Sequence, residues 1–225
     1  MTSPTTRPAR HGCPAPVTPA ALMRWSGLAA LIAGTIFAGI QPVHPADSVS
    51  SVGTTAWAVI TPLKTVMCAL LLVGLSGVYA RQVRRSGLAG LLGYALFAVG
   101  WAITAADVFA ETVLLPPLAA RDPAFVDSLL GIAAGKPSPL NLGLLPALFT
   151  ASGLLYMLGG LLFGIATVRA GVFPRWASAL MAATAALTPL AALLPHAVQR
   201  LAAVPMGVAL IGLGAALWTG RLRDR

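Results

Sequence analysis

Three ionisable residues interrupt stretches that are otherwise apolar: Lys64, Asp107 and Glu111. A charge set within an apolar segment is costly to bury, so it persists where it meets a partner, a ligand or water. Asp107 and Glu111 stand four apart, which on a helix puts both carboxylates on one face. With an ammonium beside them they would recognise a small polar solute or an ion. Lys64 can reach Asp107 if the two segments pack as a hairpin, because the lysine stem extends well beyond its own backbone. His44 and His196 stand beside prolines, each just beyond an apolar segment. Two imidazoles and two carboxylates are adequate ligands for zinc, copper or iron. Neither HExxH nor Cys-x-x-Cys accompanies them, so a metal would rest on His44 and His196 as weak ligands, and no metal or cofactor is expected. The plainer account is boundary charges, one weak ion pair and interfacial loop histidines.

Other chemistry finds little to stand on. There is no Gly-x-Ser-x-Gly, no phosphate-binding glycine loop ending in Lys-Ser or Lys-Thr, and no paired acidic motif on an arginine-flanked loop. Thr150, Ser152 and Tyr156 sit in an apolar run, where such groups ordinarily satisfy local carbonyls or bridge helices. Cys13 lies in a polar tail and Cys68 in an apolar run, which argues against a disulfide between them.

The elements that position these residues follow from composition. Of 225 residues 57% are hydrophobic and 9% charged, with a mean hydropathy of +0.84, too apolar for a chain with a polar surface. The formal charge of +9 comes from basic residues scattered in ones, twos and threes at the ends of apolar runs. That placement anchors and orients a membrane protein and offers no continuous patch to nucleic acid. A helix needs about 20 apolar residues to cross the bilayer hydrocarbon. Six intervals qualify, near 25–43, 62–80, 88–108, 142–168, 176–194 and 201–219. The expected fold is therefore an all-α, polytopic bundle of six transmembrane helices in a bacterial plasma membrane.

Arginines give the bundle its direction. Arg7, Arg10, Arg24, Arg81, Arg84, Arg85, Arg169, Arg175, Arg221, Arg223 and Arg225 fall on one side of six crossings, and only Lys64, Arg121, Lys136 and Arg200 on or near the other. By the positive-inside tendency both termini are cytoplasmic. Residues 1–22, with five prolines among small polar residues, cannot bury enough apolar surface to fold and are expected to be a disordered cytoplasmic tail, with 222–225 a short cytoplasmic end. The arginines also serve as a ruler. Lys64 stands 17 positions before Arg81, roughly 25 Å at helical rise, just inside the outer boundary. Asp107 stands 22 positions after Arg85, roughly 33 Å, with Glu111 a turn further out. Any site they form faces outward.

Between the third and fourth spans, Asp122-Pro123 is an N-cap and first-turn pair, and Phe125, Leu129 and Ile132 recur at helical spacing before Gly135. A short interfacial helix near 123–134 is expected there, either filling the surface or covering a pocket. Rows of small residues (Ala30, Gly34, Ala38; Gly160, Gly164; Ala203, Gly207) would let helices approach closely, within the chain or against a membrane-protein partner or second copy.

The runs GLSGVYARQ (74–82), ADVFAE (106–111) and FGIATVRAGVFPRWASAL (163–180) resemble those of small six-helix integral membrane proteins of high-GC actinobacteria, hypothetical membrane proteins without an established activity. The resemblance implies the topology and supplies no catalytic residue. Taken together, the residues point to a non-enzymatic membrane protein with an outward polar pocket for a small solute or ion, formed by Lys64, Asp107, Glu111 and His196. Two alternatives stand beside it: a scaffold or accessory subunit of a membrane complex, and a membrane metal or redox protein.

Overall fold

The computed structural model describes residues 17–133, 135–191, 193–194 and 196–222. The expected tail lies outside the described residues as far as residue 16, and so do Cys13 and residues 223–225. All regular structure among the described residues is helical: α1 (Pro19–Ile40), α2 (Thr55–Val113), α3 (Leu115–Arg121), α4 (Pro123–Ala133), α5 (Leu145–Ala170), α6 (Arg175–Ala191), α7 (His196–Leu201) and α8 (Val204–Thr219). Four stretches are long and apolar enough to cross a membrane: Pro19–Val43, Thr55–Val113, Leu145–Ala170 and Val198–Thr219.

The second of these is 59 residues long because it is two helices in one. Gly87 adopts φ 59° and ψ −164°, a conformation that an L side chain rarely enters, and the chain reverses there. The arms, 55–86 and 88–113, lie antiparallel: Ser76 Oγ meets the Tyr94 hydroxyl at 2.8 Å, and Thr65 Oγ1 meets Thr112 Oγ1 at 3.2 Å. The corresponding reversal between α5 and α6 has a different construction. There Gly171, at φ 66°, caps α5 by donating its N–H to the Thr167 carbonyl, and three further residues turn the chain.

Helix starts differ from the expected apolar intervals because caps, which apolarity ignores, set them. Thr18 accepts the Ala21 N–H at 3.1 Å with Pro19 in the first turn, so α1 begins six residues before Trp25. Thr54 accepts the Trp57 N–H, so α2 begins at Thr55 and runs through Pro62. At the far end, the helix expected over 176–194 is α6, which ends at Ala191, and the one expected over 201–219 is α8, which begins at Val204 after the separate α7, with Pro205 in its first turn.

Six helical segments close into a ring whose neighbours all run antiparallel. Small residues mark each seam. On the first arm Gly74 abuts Ala30 and Gly77 abuts Ser26; Gly27 and Gly34 of α1 abut Gly214 and Gly207 of α8; Gly212 of α8 abuts Trp176 and Ala177 of α6. Gly160 and Gly164 of α5 meet Ala185 and Ala182 of α6, and Gly93 and Gly159 bring the second arm against α5. The rows noted in the sequence are thus used inside the chain. One end of the ring carries Arg24, Arg81, Arg84, Arg85, Arg169, Arg175 and Arg221 and is called here the arginine end. The other, with His44, α3, α4 and α7, is the histidine end.

Two apolar cores result. The main one fills the ring with Leu71, Leu75, Phe97, Phe163, Phe173, Met181, Leu210 and Leu213, all buried. A smaller one at the histidine end joins Val52, Trp57 and Leu115 to Val126 and Leu130 of α4. Asp122 Oδ1 accepts the Phe125 N–H at 3.0 Å and so caps α4, while Phe125 and Ile132, two of the residues whose spacing announces the helix, are only half-buried. Many large apolar side chains on the ring's outside are exposed, including Val59, Val66, Val73, Leu154 and Leu158.

A Cβ added at Gly34 would lie 2.6 Å from the Gly207 carbonyl oxygen, a backbone atom that cannot move aside. Gly34→Val should therefore cost about 3 kcal/mol by overpacking. Gly39, one turn on, has nothing within 4 Å, and Gly39→Ala should be neutral or stabilising by up to about 1 kcal/mol. Thermal unfolding of both variants in detergent checks the contrast.

Candidate functional site

The histidine end gathers ionisable groups from four parts of the chain. Lys64, three turns into the first arm, donates from Nζ to Glu111 Oε2 at 2.6 Å, and both side chains are largely buried, 14% and 18% exposed. Glu111 is held in place through its backbone, whose carbonyl accepts the Trp57 indole N–H at 3.3 Å. The antiparallel arms produce this pairing, since residues near the open end of the hairpin face one another. Lys64 pairs with Glu111 rather than with Asp107. The ammonium extends towards the end of the bundle and meets the carboxylate one turn further out.

A second pair closes the other side. Arg200, in α7, donates from Nη2 to Asp47 Oδ2 at 2.7 Å and from Nη1 to the Pro45 carbonyl at 2.9 Å. Asp47 and Arg200 are 153 positions apart and are joined only because α1 and α8 are neighbours in the ring. His44 lies between the two pairs. Its Nδ1 is 2.7 Å from the Pro45 carbonyl, which can only accept, so Nδ1 carries the proton and Nε2 is left as an acceptor. Burial and the nearby Lys64 and Arg200 cations lower the His44 pKa from 6.5 to about 4, against the opposing pull of the Pro45 carbonyl and Asp47. The ring is neutral at pH 7.

Asp107 lies on the same helix face as Glu111 and within the electrostatic reach of Glu111, Lys64 and Asp47. It is half-buried and makes no hydrogen bond or ion pair with the described residues. Of the proposed pocket residues, the fold thus brings Lys64, Glu111 and Asp107 together and adds His44, Asp47 and Arg200. His196 opens α7, and its side chain is outside the described residues. Among the described residues no three His, Cys, Asp or Glu side chains converge as metal ligands.

Beneath this cluster, towards the middle of the ring, lies a cavity of about 540 Å³ that the sequence does not announce. Its walls include Phe37, Trp101, Tyr156, Leu187 and Thr188. Four hydroxyls around it are spent on their own helices: Thr104 on Gly100, Ser152 on Phe149, Thr184 on Leu180 and Thr188 on Thr184. Thr150 does the same with Pro146, so these groups satisfy local carbonyls as apolar surroundings require. At the arginine end Gln82 is buried and donates to Thr167 Oγ1 at 2.7 Å, tying the first arm to α5. Nothing in its sequence context distinguishes Gln82 from the exposed residues next to it.

No protein family, curated protein or solved structure matches the chain.

Removing one partner of a buried pair leaves a charge uncompensated, whereas removing both does not. Lys64→Met should cost about 3 kcal/mol and Lys64→Met with Glu111→Leu substantially less, a difference that a double-mutant cycle on thermal unfolding would measure. The His44 ring gives a pH signature. An unfolded chain protonates it near 6.5 and the folded chain only near 4, so between these values the unfolded state binds more protons and stability falls as pH drops through that window. His44→Asn, whose amide can still donate to Pro45, should flatten the fall in melting temperature between pH 7 and pH 4.

Proposed function

We propose that this chain is a non-enzymatic, multi-pass integral membrane protein of a bacterial plasma membrane, with six crossings and both termini cytoplasmic, that takes a small cationic solute at its outward face. The exposed apolar belt, with Val66, Val73, Leu154 and Leu158 facing away from the core, supports the embedding. Counting each arm of α2 as a crossing supports six. The exposed Trp25, Trp176 and Trp218 stand at the arginine end, at the level where amphipathic rings settle between lipid and water. The positive-inside tendency then makes the arginine end cytoplasmic and the histidine end outward.

The observation that carries the solute reading is the charge balance of the outward cluster. Lys64 is matched by Glu111 and Arg200 by Asp47, while His44 is neutral. Among the described side chains of the cluster Asp107 is left as a carboxylate in excess, at the edge of a partly buried polar site. An unmatched carboxylate there selects a cation, an alkali ion or a small protonated amine, over an anion. The scaffold reading has less support, because the small-residue rows that would form its interface are occupied by helices of the same chain.

Asp107→Asn should abolish the stabilisation that a panel of alkali cations and small amines gives the wild type, and leave the melting temperature without ligand nearly unchanged. The charge-conserving Asp107→Glu should retain part of the shift. If no member of the panel stabilises the wild type, or if Asp107→Asn responds as the wild type does, the reading falls.

A further inference from the structure

The arginine end carries more charge than the chain itself can match. By sequence eleven arginines fall there and a single acidic residue, Asp224. One carboxylate leaves most of that charge to be neutralised from outside the chain. The arginines are also unevenly spread. Arg81, Arg84 and Arg85, all exposed, line a pocket of about 390 Å³ where the first arm ends, with Met23 of α1 and Val172 of the turn after α5 also in its walls. Arg24, Arg169, Arg175 and Arg221 do not line it. Three like charges at spacings of three and four share one side of a helix and repel one another. An anion shared between the guanidinium groups relieves that repulsion, and the oxygens of a phosphate match the guanidinium fork.

The surroundings of the pocket distinguish a phosphate carried by a lipid from a free one. Ala80 and Val83 line it as well, and both are exposed. Arg84 stands 4 positions after Ala80, 11 after Val73 and 18 after Val66, within one unbroken arm of helix. At about 100° per residue these four share a face to within roughly 40°. Val66 and Val73 are exposed, so an apolar stripe that faces away from the core runs straight to Arg84. From Val73 to Arg84 is roughly 16 Å along the axis, close to the depth of one leaflet of hydrocarbon, about 15 Å. The exposed Trp25 and Trp176 mark the same end as the level where lipid meets water. A molecule with a phosphate at one end and an acyl chain at the other fits both the pocket and the stripe.

We propose that this pocket binds the headgroup of an anionic phospholipid, with the phosphate held by Arg81, Arg84 and Arg85 and an acyl chain lying along Ala80, Val73 and Val66. The site rests on the membrane embedding argued above. It is independent of the cation site at Asp107, which lies at the opposite end of the bundle.

The test is native mass spectrometry of the purified, delipidated full chain titrated with three ligands. Dioleoylphosphatidylglycerol is the anionic lipid; dioleoylphosphatidylcholine keeps the phosphate and chains but adds a cation; glycerol 3-phosphate lacks the chains. The wild type should bind the anionic lipid about tenfold or more tighter than the zwitterionic one, and glycerol 3-phosphate far more weakly. Arg84→Gln should remove the preference, and Arg84→Lys, which keeps the charge and loses the fork, should retain part of it. Arg175→Gln removes an exposed arginine of the same end that does not line the pocket, and should bind as the wild type does. Asp107→Asn should do the same, which separates failure of this site from failure of the cation site. Equal binding of the two lipids by the wild type, binding of glycerol 3-phosphate as tight as that of the anionic lipid, or a preference that survives Arg84→Gln or is lost as fully in Arg175→Gln would overturn the proposal. If Arg84→Gln does not melt cooperatively, an intact preference in Arg81→Gln overturns it. A chain that stays dispersed without detergent overturns the embedding and this site with it, whereas a detergent-dependent chain with no lipid preference overturns this site alone.

Discussion

Backbone-to-backbone approach at glycine is the constraint on which the other features of the bundle rest. An added Cβ would lie 2.6 Å from Ala30 Cα at Gly74, 2.6 Å from the Gly207 oxygen at Gly34, and 2.7 Å from the Ala182 nitrogen at Gly164. These seams fix the positions of α1, α8, α6 and α5 around the ring. Once α1 and α8 are held at this distance, the segment after α1 and the helix before α8 come together, and Asp47 meets Arg200. Once the arms close about Gly87, Lys64 meets Glu111. In surroundings that give apolar surface no reward for leaving the solvent, such packing has to come from the shape of the backbone itself.

The same seams explain where the bundle is open. Close contacts on α6 are confined to the part of the helix before Pro189, and α5 and α6 are tied together by the short turn after Gly171. Beyond that the two helices have no small-residue seam, and the space between them is filled by side chains from α1, the second arm and α8 only in part. The cavity is therefore set by the end of a packing pattern as well as by Phe37, Trp101 and Tyr156. The Lys64–Glu111 and Asp47–Arg200 pairs lie at the histidine end, the cavity lies just below them, and Phe37, Trp101 and Tyr156 stand between the cavity and the filled core around Phe97 and Phe163.

Much of this was legible in the residues, and what was not has a physical reason. Apolar length and the arginines located each bundle helix to within several residues, and Asp122-Pro123 marked the start of the helix at 123, because these signals are local. The reach from Lys64 into the Asp107 and Glu111 face was also visible, since arm length and helical rise bound it. Which carboxylate would be met was not, because a difference of one turn depends on where the hairpin pivots and on Trp57 holding the Glu111 backbone. The Asp47–Arg200 pair, the Gln82–Thr167 bond and the cavity depend on the ring closing. Residues 153 or 85 positions apart carry no mutual signal in a single sequence.

Gly87 joins the two arms of α2 with a reversal only one residue long. A connection so short leaves no slack chain that can be shared between two environments: the medium around Ser76 is also the medium around Tyr94, to which it is bonded. Arg81, Arg84 and Arg85 are accordingly part of a rigid rod and do not ride on a loop. Their spacing from Lys64 on one arm, and from Asp107 and Glu111 on the other, is a fixed length of helix. The charges at the two ends of this molecule are held apart by a strut, and any displacement of one set along the bundle axis has to be followed by the other.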